Sequence, residues 1–407
     1  MSHGQPPQGP HHPRGGPAHP YGPHLGPQGP YPGGTPRPAK KNTACVVIAA
    51  VVAGFVLLTL VFIAVLVFRI MGSDDPTSAS APTDPGRDDL PSFTGELHGA
   101  GTGAAAGAMT TWRSALETGS FTLQYDPTGD HHGLERFLAG ENPFAITTTP
   151  MDDTRFADGG TCAAPPLHLP ILATPVALSA RLPGIEQVVL DADTVAGIYT
   201  GEVARWDDPA ITALNPDVDL PAVKITPVYR SDSGATTAAV TEWLTAAGAW
   251  TLEPGQTWPG EHGTGADGDD GVVEALGTDG ALGYLPVHRL ADGTTEILLR
   301  HGGADLSARG PEAAYLIDGS PKVPGRPEHD QSRQLDRNIA GAYPATMVSW
   351  LVVCGQYADP ADATLVRDVF GWMVSPEGHR VVVMQEQSAA FSDQVYDDLA
   401  AAIDSIG

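Results

Sequence analysis

Hydrophobic positions along the 407-residue chain fall into three regimes. Over residues 1–42, Pro, Gly, Gln and His dominate, Tyr21 and Tyr31 are the only aromatic residues, and apolar positions have no period. Such a stretch buries too little to fold and reads as a disordered, solvated tail. Over 44–68 no residue is charged, and only Cys45, Gly54 and Thr59 soften a run that is apolar on every face. As a helix this run is ~37 Å long, enough to cross a hydrocarbon core of about 30 Å. From about residue 93 onward, short apolar runs alternate with stretches of helical period. The pattern predicts strands over 121–125, 143–147, 168–172, 174–179, 224–229, 282–285 and 347–353. It predicts helices over 104–117, 133–138, 194–200, 236–246 and 361–374. Strands interleaved with helices make an α/β domain. No internal repeat recurs at a fixed period.

Charge orients the apolar run. Arg37, Lys40 and Lys41 precede it, while Arg69, Asp74 and Asp75 follow, so the positive-inside bias puts the N-terminus in the cytoplasm and the bulk of the chain outside. A cleaved signal peptide fits less well, because the run is long and its leader extended. The segment over 43–71 is therefore expected to persist as a transmembrane helix. Residues 72–92, rich in Asp, Pro, Ser, Thr and Ala, read as a flexible linker ahead of a folded domain over 93–407. The chain carries 48 acidic and 22 basic residues, and no acid precedes Gly72. An acidic surface of that kind argues against nucleic acid as a partner.

Cys45 lies in the apolar run, leaving Cys162 and Cys354 beyond it. An oxidising compartment allows one bridge between them; a pair of buried thiols is the other reading. No Cys/His spacing suggests zinc, so no metal is expected. His-Glu-x-x-His, Gly-x-Ser-x-Gly and phosphate-loop patterns are absent, so no enzyme is expected and no catalytic residue is assigned.

The densest local signal is 198–216, IYTGEVARWDDPAITALNP. Gly201 stops one helix, and Asp208 caps a second whose first position holds Pro209. Three loops stand just before helices: Gly101-Thr102-Gly103-Ala104, then 128–133, then 230–237. The first reads as a plain glycine-rich turn when taken alone. In the second, Asp130 is expected to cap the helix that follows, and His131 and His132 lie on the surface. The third reads either as an Arg–Asp pair capping a helix or as an anion site.

These stretches occur in a fixed order with Gly99-Ala100-Gly101, Trp112, Tyr125, Gly129, Phe144 through Pro150, Leu220-Pro221, Arg230-Ser231-Asp232, Asp269-Asp270-Gly271, Gly280-Ala281-Leu282-Gly283-Tyr284 and Tyr343-Pro344. In that order they resemble the phosphate-binding proteins of ABC importers, over some three quarters of the chain. The resemblance implies a type II periplasmic-binding-protein fold of two α/β lobes joined by hinge-crossing strands. Lobe one would span about 97–180 plus 343–407, and lobe two about 181–342. It also implies a cleft for inorganic phosphate or another tetrahedral oxyanion, ABC permease subunits as partners, and no cofactor. Ligand contacts would come from Thr102, Gly103, Ala104, Asp130, Thr148, Arg230, Asp232, Ser233, Gly234 and Thr236. Helix N-termini, hydroxyls and one arginine suffice to hold such an anion.

Two departures from the family pattern stand out. Thr148 occupies the position of a ligand-contacting aspartate, and Ser233-Gly234-Ala235 is shifted by one from the family's Gly-Ser-Gly. Either Asp130 supplies the missing carboxylate, or the cleft takes another anion, or binding has been lost and the domain serves as a sensor or scaffold.

Overall fold

The computed structural model describes residues 91–117 and 119–407. The expected tail, the apolar run and nearly all of the linker lie outside the described residues. Among the described residues no helix is long and apolar enough to cross a membrane.

β1 (Gly95–Gly101), α1 (Ala106–Leu116), β2 (Phe121–Asp126), α2 (Asp130–Leu138), β3 (Phe144–Thr147) and the short α3 (Asp153–Asp158) form a first α/β run. β4 (Ala164–Ala180) then leads into a second. That run holds β5 (Gln187–Leu190), α4 (Ala192–Thr200), α5 (Pro209–Leu214), β6 (Thr226–Arg230), α6 (Ala235–Ala246), β7 (Thr264–Ala266), α7 (Gly268–Ala275), β8 (Ala281–Pro286), β9 (Thr295–His301), β10 (Ala304–Leu306) and α8 (Tyr315–Gly319). β11 (Thr346–Gln356) returns the chain, and α9 (Pro360–Met373), α10 (Pro376–Glu386) and α11 (Asp393–Asp404) complete it. Strand order is β2-β1-β3-β11-β4-β8-β6-β7, with β9 joined to β4, β5 and β10. β1 runs parallel to β2 and β3, and β6 runs parallel to β7 and β8. β11 is antiparallel to both β3 and β4, and β4 is antiparallel to β8.

β4 is therefore shared by both halves of the sheet. Up to Pro175 it pairs with β11; from Val176 it pairs with β8. Every residue from Pro166 onward is buried, as a strand covered on both faces must be. The apolar pattern divides this strand into 168–172 and 174–179, with Ala173 left between them. The structure keeps one strand and absorbs the missing N–H of Pro170 with a register shift at Ser349/Trp350 on β11. β1 escaped the pattern altogether, since three of its seven residues are glycine. Tertiary packing explains them. A Cβ at Gly101 would lie 1.9 Å from the Ile146 carbonyl oxygen, and one at Gly133 in α2 would lie 2.4 Å from the Gly101 Cα. Only bare backbone lets β3 and α2 approach β1 that closely.

The 198–216 stretch folds as its residues dictate. Gly201 ends α4 at φ 84°, the Asp208 side chain accepts from Ala210 N at 2.9 Å, and Pro209 opens α5. Trp206 is fully buried and donates Nε1–H to the Gly280 carbonyl at 3.1 Å. In the stretch 321–334, expected in lobe two, Asp330 and Gln331 bond to His168 of β4. His168 donates its backbone N–H to Asp330 Oδ2 at 2.8 Å and holds the same oxygen through Nδ1 at 2.8 Å. Burial alone would push the Asp330 carboxyl up, but hydrogen bonds from His168 and Ser332 hold it below the usual range.

Cys162, just before β4, is bonded to Cys354 in β11, with Cα atoms 5.2 Å apart and 192 residues between them in sequence. Closing so long a loop removes up to about 5 kcal/mol of unfolded-chain entropy. Cys354→Ser is expected to lower the denaturant midpoint by an amount equal to about 2–5 kcal/mol. Chemical reduction of the wild type should reproduce that loss and leave the variant unchanged.

His379 in α10 is 1% exposed, stacked on Phe391 at 4.5 Å, and bonded through Nδ1 to Tyr396 Oη at 2.7 Å. Burial depresses its pKa from 6.5 to about 4. The unfolded chain therefore binds a proton below pH 6.5 that the folded chain refuses until about pH 4. Stability present above pH 6.5 should fall by about 1.4 kcal/mol per unit as pH drops through this window. Urea midpoints between pH 6.5 and 5 should show that slope in the wild type and lose it in His379→Phe, which keeps the ring stack. An equal slope in both proteins contradicts the assignment.

Candidate functional site

The carboxyl ends of β1 and β6 converge on one cleft of ≈ 410 Å³. From the first half of the sheet it is lined by Thr102, Gly103 and Ala104 after β1, by Gly129 and Asp130 at the start of α2, and by Glu386 at the end of α10. From the second half come Arg230, Ser233, Gly234, Ala235 and Thr236 at the β6–α6 turn, with Gln256, Asp269 and His288. Met347 of β11 forms part of its wall.

Helix ends give the cleft its character. α3, α4, α5, α9, α10 and α11 are each closed by an Asp or Ser side chain at the N-cap. α2 and α6 have only Gly129 and Gly234 there, with no side-chain cap bond. First-turn N–H groups have no partner inside a helix, and the helix dipole makes that end electropositive. α1, α7 and α8 also lack a side-chain cap bond, but the glycine-started ends of α2 and α6 border the cleft directly. Beside the second, the Thr236 hydroxyl is buried without a partner among the described residues. The Thr102 hydroxyl accepts from Ala104 N at 3.3 Å, and the Thr102 carbonyl accepts from Tyr125 Oη at 2.8 Å.

Arg230 is the cleft's guanidinium, with its side chain 16% exposed. Asp232 grips it in a fork, from Nε at 3.0 Å and from the second terminal nitrogen, while Asp269 accepts from the other terminal nitrogen at 2.8 Å. Tyr284 Oη accepts from Arg230 N at 3.2 Å and bonds the Thr237 hydroxyl at 2.8 Å. Burial works against the arginine's charge, but the two carboxylates outweigh it and raise its pKa. The hydrogen bond from Arg230 in turn holds Asp232 low against a smaller opposing effect of burial. A Cβ on Gly234 would stand 2.8 Å from the Arg230 guanidinium carbon, so the glycine in the shifted loop is what lets the guanidinium lie over the start of α6.

Asp130 does not cap α2. Gly129 holds the cap position, at φ 92°, and the helix begins at Asp130, a turn earlier than its apolar residues indicated. The Asp130 carboxylate instead accepts from Thr148 N at 2.7 Å and from Thr148 Oγ1 at 2.5 Å. Gln256 Nε2 donates to the same hydroxyl at 3.3 Å from the other half of the sheet. A hydroxyl both donates and accepts, so Thr148 links Asp130 to Gln256 across the cleft.

A family model for a PBP superfamily domain matches residues 76–377. The chain belongs to that family. Phosphate-binding protein PstS 2 of Mycobacterium tuberculosis is 29% identical over 328 residues, which cover 76% of this chain and 87% of the relative. Phosphate-binding protein PstS of Xylella fastidiosa is 24% identical over 340 residues, covering 79% and 89%. A solved phosphate-binding protein from Stenotrophomonas maltophilia superposes with a TM-score of 0.57 at 16% identity, over 75% of this chain and 93% of its own. A periplasmic phosphate-binding protein named PfluDING, solved with bound phosphate, gives 0.55 at 18% identity over 75% and 93%. The fold is thus the α/β fold of PBP superfamily members, and the relatives are PstS-like solute-binding proteins, not enzymes.

Within this fold most of the expected residues meet. Thr102, Gly103, Ala104, Asp130, Arg230, Ser233, Gly234 and Thr236 border the cleft. Asp232 stands behind Arg230, and Thr148 borders an adjoining cavity. Sequence reasoning missed Gln256 and Glu386, which carry no local signal. It quoted Asp269 only as part of a family motif.

Thr148→Asp would set a second carboxylate against Asp130. Two acids at hydrogen-bond distance share one proton, which raises one folded-state pKa. Stability of this variant relative to wild type should then fall as pH rises through that pKa, by about 1–3 kcal/mol between pH 5 and 8. Parallel urea curves at both pH values, with equal offsets, would contradict the Asp130–Thr148 pairing.

Proposed function

We propose that the chain is the membrane-tethered solute-binding component of an ABC importer and captures inorganic phosphate. The observation that carries this reading is the pair of open, glycine-started helix ends that face one cleft beside a preset arginine. Thr102, Gly103, Ala104, Ser233, Gly234 and Thr236 offer backbone and hydroxyl donors, Arg230 offers charge, and Asp232 orients it. Asp130, held by Thr148, offers the carboxylate that accepts the proton of hydrogen phosphate, which a fully ionised sulfate lacks. The names of the relatives support the ligand.

In this reading, residues 1–42 are the cytoplasmic tail, 43–71 the transmembrane anchor, 72–92 a linker, and 93–407 the extracytoplasmic binding domain. A disulfide between Cys162 and Cys354 supports an oxidising compartment. The hinge-crossing strands are β4 and β11, and the lobes close over the anion by bending there. Permease subunits in the membrane are the partners.

One observation favours a second reading, a sensor or scaffold that no longer takes an anion. Arg230 is already held by two carboxylates, and Asp130 and Glu386 add further negative charge to the cleft. Calorimetry on the detergent-solubilised full-length chain separates the two. Phosphate should bind more tightly than sulfate, and Arg230→Ala should weaken the phosphate site about 100-fold, the loss of a charge-assisted fork worth roughly 3 kcal/mol. Absence of phosphate binding in the wild type would favour the sensor.

A further inference from the structure

A second cavity, ≈ 200 Å³, lies behind the Thr148 loop. It is bounded by Thr148, Thr149 and Pro150 from the first half of the sheet, by the small face of α6 from the second, and by Met347 and Val348 of β11. Two arginines line it, Arg333 and Arg337, against a single carboxylate, Glu242. In a chain with a formal charge of −26, a cavity with an excess of guanidinium is an exception that needs a cause.

The two arginines differ sharply in how they are satisfied. Arg337 donates to Glu242 Oε2 at 2.7 and 3.2 Å and to the Pro344 and Thr346 carbonyls at 2.6 and 3.0 Å. Its charge and its donors are accounted for within the fold. Arg333 is also nearly buried, with its side chain 10% exposed, yet its guanidinium makes no hydrogen bond among the described residues. Its nearest carboxylate, Asp398, stands 3.9 Å away, beyond hydrogen-bond range. The buried Nε has no acceptor. Burial pulls its pKa below the usual guanidinium value, and Asp398, Asp318 and Asp330 only partly compensate. Buried donors of this kind are almost always satisfied, and guanidinium presents a planar fork suited to a carboxylate or an oxyanion.

We propose that this cavity is a second anion site, in which Arg333 receives a small oxyanion or carboxylate. Arg333 supplies the charge and its terminal N–H donors, Arg337 stays fixed to Glu242 as the wall, and the Thr149–Pro150 segment closes the opposite side. The cavity touches both halves of the sheet and borders the Thr148 loop. An anion there bridges the same two halves that the main cleft separates. The site is distinct from the main cleft and does not require that cleft to bind phosphate.

Inorganic phosphate and sulfate, titrated separately into the detergent-solubilised full-length chain, test the proposal. The readouts are calorimetric stoichiometry and the 15N-detected Arg Nε–H signals. Either anion should shift the Arg333 Nε–H signal, identified by its absence in Arg333→Lys, and should do so in the Arg230→Ala background as well. Arg333→Gln should remove one equivalent of anion while leaving the Arg230-dependent equivalent in place. Anion binding by the wild type that Arg333→Gln leaves unchanged, or an unshifted Arg333 signal at saturating anion, overturns the second site. Loss of all binding in Arg230→Ala overturns it too. An Arg333-dependent equivalent with no Arg230-dependent one would uphold this site and overturn the main-cleft reading instead. Because Arg333→Gln removes a nearly buried group, the signal shift in unaltered protein stands as the measurement independent of that variant's folding.

Discussion

The antiparallel pairing of β4 with β11 is the constraint on which the rest of the molecule depends. β4 enters pairing with β11 at one end and leaves it paired with β8 at the other, so a single buried strand fixes where the two halves of the sheet meet. The loops that follow β1 and β3 belong to one half, and the turn that follows β6 belongs to the other. Their approach across the cleft is set by how far β4 and β11 run together before they part. The disulfide holds one end of this pair, and proline with a register shift interrupts its middle.

Electrostatics in the cleft is local. The acidic chain, with a formal charge of −26, repels anions at long range, but salt screens that field within about 10 Å at 0.1 M, while donors inside the cleft act at contact distance. Arg230 is oriented in advance by Asp232, Asp269 and Tyr284, which removes most of the entropy a free arginine loses on binding. The same carboxylates also spend part of its charge. The open ends of α2 and α6 add backbone donors to the cleft, and those donors carry no countercharge.

Much of the fold was legible because local signals and tertiary packing agreed. β2, β3, β6, β8 and β11, and the helices α1, α4, α6 and α9, lie within a few residues of where the apolar periods put them. Asp208 and Pro209 start α5 as their chemistry requires. Agreement failed where a residue's reason lies far away in sequence. The glycines of β1 look like a loop until Ile146 and Gly133 are packed against them. The two apolar runs of β4 look like separate strands until β11 pairs across Ala173. Asp130 looks like a cap until Thr148, eighteen residues on, offers its N–H and hydroxyl.

The sequence by itself determined the α/β class, the family frame, the acidic character, and the three loops from which most of the cleft is built, because turn glycines, helix starts and apolar periods are short-range properties of the chain. Only the tertiary structure decided which groups are already spent and which are free. It joined Cys162 to Cys354, moved Asp130 onto Thr148, brought Gln256 across the cleft, set Asp269 on Arg230, and left Arg333 buried without a hydrogen-bond partner among the described residues. The reason is physical: hydrogen bonds and ion pairs act over about 3–4 Å, and only folding brings residues so distant in sequence within that reach.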